Sequence, residues 1–135
     1  MKKTIKKCYQ AHDPIFDKND FNSGDGMMTS VGGPSMWHTM HIISFNYPTN
    51  PITKEKIDYM KFYKSVGKVL PCRYCRENFK KNIKQVPLTL ETMKSRETLS
   101  KWVYLLHEEI NKMLGKTSGL SYEDVRNRYE MFRSR

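Results

Sequence analysis

Five apolar side chains separated alternately by four and three residues, Leu99, Val103, Leu106, Ile110 and Met113, run without interruption in the last third of the chain. At 3.6 residues per turn they form one stripe on one helix face, the seam of a bundle. Such a stripe needs partners with stripes of their own to stay dry. The chain supplies them. Trp37, Met40, His41, Ser44 and Phe45 fall at i, i+3, i+4, i+7 and i+8, from a start at Ser35 to a stop before Pro48. Thr53 reads as the N-cap of a second helix with the inner stripe Ile57, Met60, Tyr63, Val66 and Leu70. A third helical run, Arg76 to Lys84, carries Phe79 and Ile83 and ends before Pro87. Gly115 suits the C′ position after the fourth helix, and Ser121 with Asp124 makes a capping box that opens a short helix ending at Phe132. No segment alternates with the period of a strand, and none repeats. The expected fold is all-α: a four-helix bundle plus a short fifth, C-terminal helix.

At 135 residues the chain is sized for one domain. Lysines around Cys8, the run Asn22-Ser23-Gly24-Asp25-Gly26 and the breakers Gly32-Gly33-Pro34 predict a mobile N-terminal extension over residues 1–33, with the folded domain over 34–135. The balance of 24 basic against 14 acidic residues, a net charge of +10, describes a solvated, lysine-rich surface that aids solubility and steering. No recognition-helix or RNA-binding motif accompanies it, so no nucleic-acid role is expected, although a basic helical nucleic-acid binder stays as a competing class. The longest apolar run, Trp102 to Leu106, is far short of a membrane span. Met1-Lys2-Lys3 is not followed by an apolar h-region, so no secretion signal is expected and the compartment is left unassigned.

The chemistry gathers at Val69-Leu70-Pro71-Cys72-Arg73-Tyr74-Cys75, where two of the three cysteines form Cys-x-x-Cys. That spacing serves either a reversible disulfide or half of a zinc site. A helix start beside it, with Arg73 and Arg76 flanking, favours thiolates. His41 lies on the inward face of the first helix. His107 and Asn111 stand one turn apart on the fourth, with Trp102 earlier on the same helix. A zinc-binding interaction module would join Cys72 and Cys75 to two of the histidines. A wall for a flat, polar, aromatic ligand would use the histidines together with the tryptophans and the asparagine, which zinc does not require.

Trp37-x-x-x-His41, then Asn46-Tyr47-Pro48, then Pro71-Cys72-x-x-Cys75, then Trp102-x-x-x-x-His107-x-x-x-Asn111 and Leu114-Gly115-Lys116 occur in that order. Together they resemble the Erv/ALR family of FAD-linked sulfhydryl oxidases over roughly Gly33 to Tyr129. The resemblance implies a bundle around FAD, a homodimer, and no metal. It makes Cys72 and Cys75 catalytic. It places Gly33, Trp37, His41, Tyr47, Cys75, His107, Asn111, Lys116 and Tyr129 at the cofactor, Tyr129 taking the place of an aromatic residue, often Trp, on the fifth helix.

The implied reaction passes electrons from protein dithiols through Cys72–Cys75 to FAD and on to molecular oxygen, yielding peroxide, with Cys72 as the outer sulfur and Cys75 as the inner one, a turn deeper in the bundle. Departures from the family pattern are Glu108 where Asn usually follows the second histidine, Pro34 where Arg often follows the glycine, and Ser121 near the place of a further cysteine. A second cysteine pair, the usual shuttle, has only Cys8 to represent it, which reads as a spare thiol. The compact layout is similar to members from large DNA viruses, for which host cytoplasm or virion is the implied location.

Overall fold

The structure, a computed structural model, describes residues 18–135, and every regular element among them is helical. A single turn at Lys18–Phe21 precedes α1 (Thr29–Phe45), α2 (Thr53–Val69), α3 (Arg73–Gln85), α4 (Arg96–Met113) and α5 (Tyr122–Glu130). A 3-10 turn at Thr92–Lys94 joins α3 to α4.

The predicted seam is the axis of the molecule. Leu99, Val103 and Leu106 of α4 are completely buried, and Ile110 packs at the edge of the same core. Met113 is 43% exposed, so the stripe stops contributing one turn before the helix ends. Ser95 caps α4 through its hydroxyl, which accepts the Thr98 N–H at 3.2 Å, while Thr98 Oγ1 accepts the Ser95 N–H at 3.0 Å. Gly115 closes it at φ +69°, a left-handed conformation that glycine adopts without a Cβ penalty.

α1 lies along α4, α2 packs on α3, and α5 crosses α1 and α4. Met40, Tyr63, Val66 and Phe79 carry the core outward from α4, each burial worth about 1.5–3 kcal/mol relative to exposure. Two buried tyrosines also satisfy their polar ends. Tyr63 donates to Met40 O at 2.8 Å and Tyr47 to Met93 O at 2.7 Å, tying α2 to α1 and the α1–α2 loop to the 3-10 turn. The fifth helix opens as expected, with Ser121 Oγ accepting from Asp124 N at 3.1 Å and Asp124 Oδ2 accepting from Ser121 N at 2.9 Å.

Three local expectations change. The first helix starts at Thr29, not Ser35, and Gly32, Gly33 and Pro34 lie inside it, so the expected boundary at residue 33 falls within α1. Its first turn is established ahead of the breakers, with Val31 N and Gly32 N both donating to Met28 O, at 3.1 and 3.2 Å. Thr53 is the first residue of α2 rather than its cap; Glu55 Oε1 accepts the Ile52 N–H at 2.9 Å. Ile57 of the predicted inner stripe is 47% exposed, and Tyr59 packs toward the core instead. Residues 1–17, with Cys8 among them, lie outside the described residues.

Where α2 meets α3 the contact depends on Gly67, because a Cβ there would overlap the ring of Phe79. Phe79 is buried two turns beyond Cys72, so this contact seats the helix that carries both cysteines. Gly67→Ala gains about 1 kcal/mol of helix propensity but overpacks a close contact at a cost of about 1–3 kcal/mol. The expected result is a lowered denaturation midpoint. It is read from a urea titration against the parent, and an unchanged or raised midpoint contradicts it.

Candidate active site

Cys72 is the N-cap of α3 and Cys75 sits in its first turn. The Cys72 Sγ accepts the Cys75 N–H at 3.3 Å, a thiol taking the place of the usual serine or aspartate cap. Both are free cysteines. The pair faces a cavity of about 260 Å³ whose other wall is the start of α1, including Gly33, Met36 and Thr39. A Cβ on Gly33 would meet no atom of the described residues within 4 Å, so among them this glycine borders open space.

The cysteines differ from expectation in two respects. Cys72 is only 8% exposed while Cys75 is half-buried, so the residue expected to be outer is the less exposed of the two. The reason is tertiary: Gly26 and Met27 lie against Pro71 and Cys72, and Met27 N donates to Pro71 O at 2.6 Å. Furthermore, the Cys75 thiol is pushed up to about 11, by burial first and then by the hydrogen bond and charge of Cys72. Cys75 therefore keeps its proton at neutral pH. Arg76 acts in the opposite direction but its guanidinium is engaged with Leu70 O, and Arg73 lies over the Tyr74 ring and reaches toward Asp25. Desolvation outweighs the helix terminus and the Arg76 charge.

A second group forms where α1 faces α4. Trp37 and His107 stack with ring centroids 4.0 Å apart and planes 3° from parallel. His41 Nε2 and His107 Nδ1 are hydrogen-bonded at 3.1 Å. Tyr129 of α5 closes the far side, stacked on His41 at 5.0 Å and on Phe45 at 5.5 Å, its hydroxyl 3.0 Å from His38 Nδ1. His41 is 4% exposed and its Nδ1 is fully buried with no hydrogen-bond partner among the described residues. Burial, with the neighbouring His107 and His38 adding to it, lowers His41 to about 3, and burial lowers His107 as well. Both rings are neutral at physiological pH.

Thus the structure brings Trp37, His41, His107 and Tyr129 into one cluster, and Gly33, Cys72 and Cys75 around one cavity. α1 serves both, since Gly33 and Thr39 line the cavity and Trp37 and His41 build the cluster. Asn111 is half-buried one turn beyond His107, and its carbonyl accepts the Lys116 N–H at 2.7 Å, folding the loop after α4 back on the helix. Lys116 itself borders a separate groove of about 910 Å³ with Glu108 and Lys112. Tyr47 joins neither group. It is fully buried, hydrogen-bonded to Met93 O and packed on Tyr59 at 4.6 Å. Trp102 likewise joins neither group, although it borders the groove beside Lys116. It is 4% exposed, donates to Val86 O at 2.9 Å and meets Tyr63 edge-on. Sequence reasoning missed His38, whose spacing one residue after Trp37 placed it off the inward stripe, and residues 25–28, which carry no periodic signal. Among the described residues no group of three or more His, Cys, Asp or Glu side chains is arranged to hold a metal ion.

Comparison with known proteins gives concordant results. The model of the Erv1 / Alr family matches residues 34–130. The chain is 39% identical over 80 residues to the probable FAD-linked sulfhydryl oxidase of Acanthamoeba polyphaga mimivirus, an alignment covering 59% of this chain and 56% of that protein. It is 31% identical over 84 residues to the mitochondrial FAD-linked sulfhydryl oxidase of Saccharomyces cerevisiae, covering 62% of this chain and 43% of the relative. It thus spans about half the length of these two relatives. An FAD-linked sulfhydryl oxidase of African swine fever virus matches at 30% identity, over 73% of this chain and 79% of its own. Among solved structures, the FAD binding domain of Erv1 from Saccharomyces cerevisiae superposes with a TM-score of 0.69 at 25% identity, covering 80% of this chain and all of that one.

Proposed function

This chain belongs to the Erv1/Alr family, and from that membership we propose that it is an FAD-dependent thiol oxidase that introduces disulfide bonds into protein substrates. The observation that carries the reading is the free Cys72–Cys75 pair at the start of α3, opening on a cavity walled by α1, the helix that contributes Trp37 and His41 to the cluster with His107.

The residues fit such a cofactor. Among the described residues His41 Nδ1 is a buried polar atom lacking a partner, and Gly33 borders open space beside the cysteines. Parallel Trp37 and His107 rings offer a flat, polarizable face. Gly33, Trp37, His41, Cys75, His107, Asn111 and Tyr129 are the residues assigned to hold FAD, with Lys116 at the mouth of the neighbouring groove; Tyr47 supports the site from the core. When bound, FAD supplies the capacity to accept two electrons from a dithiol and pass them to oxygen, giving hydrogen peroxide.

The protein's own part is thiol–disulfide exchange. A substrate thiolate attacks Cys72 Sγ of the oxidised pair, forming a mixed disulfide and expelling Cys75. Cys75, whose burial favours the neutral thiol, takes up a proton as it leaves. The substrate's second thiol loses a proton as it attacks the mixed disulfide, completing the substrate disulfide and releasing Cys72 as thiolate. Electrons and protons balance: two thiol sulfurs are oxidised in the substrate and two reduced in the protein. Protein dithiols as substrates, oxygen as acceptor and a homodimer as the working unit belong to the same reading.

The test is reconstitution. Purified protein is expected to take up FAD in a one-to-one complex with flavin absorbance, and to consume oxygen when a small dithiol is added. Protein that remains colourless after titration with FAD, while folded by circular dichroism, overturns the proposal.

A further inference from the structure

Residues 25–28 join the turn at Lys18–Phe21 to α1 and cross directly over the first cysteine. The contact is made by backbone. Met27 N donates to Pro71 O at 2.6 Å, while the Met27 side chain is 72% exposed. Gly26 adopts φ +79°, and a Cβ there would collide with Pro71 O and come within 3.2 Å of Cys72 Cα. No L side chain fits at that point in that conformation. Asp25 and Arg73 add only a 4.0 Å contact between exposed groups, which contributes little. Met27 and Met28 then form the outer wall of the cavity beside Cys72 and Cys75.

We propose that residues 25–28 are a built-in strap occupying the position in which an extended substrate peptide docks, so that a protein thiol reaches Cys72 by displacing the strap from Pro71. Pro71 ends the α2–α3 connection, and its carbonyl precedes the sulfur-bearing residue by one peptide unit. A peptide whose cysteine approaches Cys72 brings backbone N–H groups to that carbonyl, as Met27 now does. Recognition through a main-chain donor is indifferent to side-chain identity, which suits a catalyst with many protein substrates. All four residues of the strap are exposed. Exposed segments open locally at low free-energy cost. This inference rests on the reading of Cys72 as the sulfur that meets substrate.

Two variants loosen the strap by different means, leaving both cysteines and the Trp37–His107 cluster intact. Gly26→Val places a branched side chain against Pro71 O, and Met27→Pro removes the N–H that the carbonyl accepts. The reduced full-length protein is treated with a polymer-sized maleimide or with iodoacetamide, and modification of Cys72 is located by peptide mass spectrometry. Each variant is expected to raise the bulky reagent's rate at Cys72 by about tenfold or more, and that of iodoacetamide by less, as expected for local opening. In parallel, KM for a peptide dithiol is expected to fall by about fivefold, with KM for dithiothreitol unchanged within about twofold. Unchanged bulky labelling in both variants overturns the strap as a cover. Opened labelling with an unchanged peptide KM overturns its sharing of the docking position. Labelling is read without turnover, so a parent protein inactive as an oxidase counts against the proposed function and leaves the strap to be judged by labelling.

Discussion

Serine in place of either Cys72 or Cys75 is expected to lower dithiol turnover by about a thousandfold or more, roughly 4 kcal/mol in barrier. The exchange sequence needs one sulfur to take the substrate and a second to leave, and an oxygen in either position can do neither. The same variants are expected to keep the fold. At position 72 the side chain caps α3, its sulfur accepting the Cys75 N–H at 3.3 Å, and serine is a stronger capping residue than cysteine. Either substitution leaves the Trp37–His41–His107 cluster untouched, and serine keeps the shape of the Cys75 side chain, so flavin absorbance should persist in both. Oxygen uptake with a small dithiol and the absorbance spectrum are measured side by side on the same preparation. A single variant that turns over at more than about a tenth of the parent rate defeats the two-cysteine mechanism.

Acid should weaken the fold in a window set by the buried imidazoles. The His41 pKa is lowered from 6.5 to about 3, so the native state favours the neutral ring and the unfolded chain binds the extra proton. Its contribution is fully present above the unfolded value, about pH 6.5, and is lost as pH falls toward the folded value near 3. His107 acts in the same direction. For His41 alone the loss between about pH 6.5 and 4.5 is on the order of 2 kcal/mol, since one proton taken up on unfolding is worth about 1.4 kcal/mol per pH unit. Urea midpoints measured across this range in cofactor-free protein should fall steadily, and His41→Asn should flatten the slope. A parent midpoint that is level from pH 6.5 to 4.5 would contradict the neutral pair.

How much of this was legible beforehand depended on whether a signal was local. Leu99, Val103 and Leu106 announced their helix by spacing, and Ser121 with Asp124 announced the next by the capping chemistry of its first turn. The same periodicity put His41 and His107 on inward faces, where they meet. It did not decide between site and core for Trp102 and Tyr47. Both are aromatic residues with a polar tip, equally suited to line a ligand or to fill a core, and which they do depends on whether a carbonyl lies in reach. Val86 O and Met93 O lie in reach. Gly32-Gly33-Pro34 was read as a break because each residue disfavours a helix interior by about 1 kcal/mol or more. The helix nevertheless begins before them, with its first turn formed on Met28 O. The enclosure of Cys72 was invisible because it comes from residues 45 positions away in sequence that meet it through a backbone donor and a missing Cβ.

The hydrogen bond between His41 and His107 has a consequence for what can be bound beside it. Both rings are neutral, so only one of the two facing nitrogens carries hydrogen. If it sits on His41 Nε2, then His41 Nδ1 is a lone pair and His107 Nε2 bears hydrogen; if it sits on His107 Nδ1, both assignments reverse. The two outer nitrogens are therefore always of opposite character, one giving and one receiving. They exchange roles together when the tautomers switch. A group that satisfies His41 Nδ1 fixes, through the shared proton, what the far edge of His107 can accept. A ligand touching both ends must offer one donor and one acceptor, and a molecule offering two of either kind is mismatched at one ring.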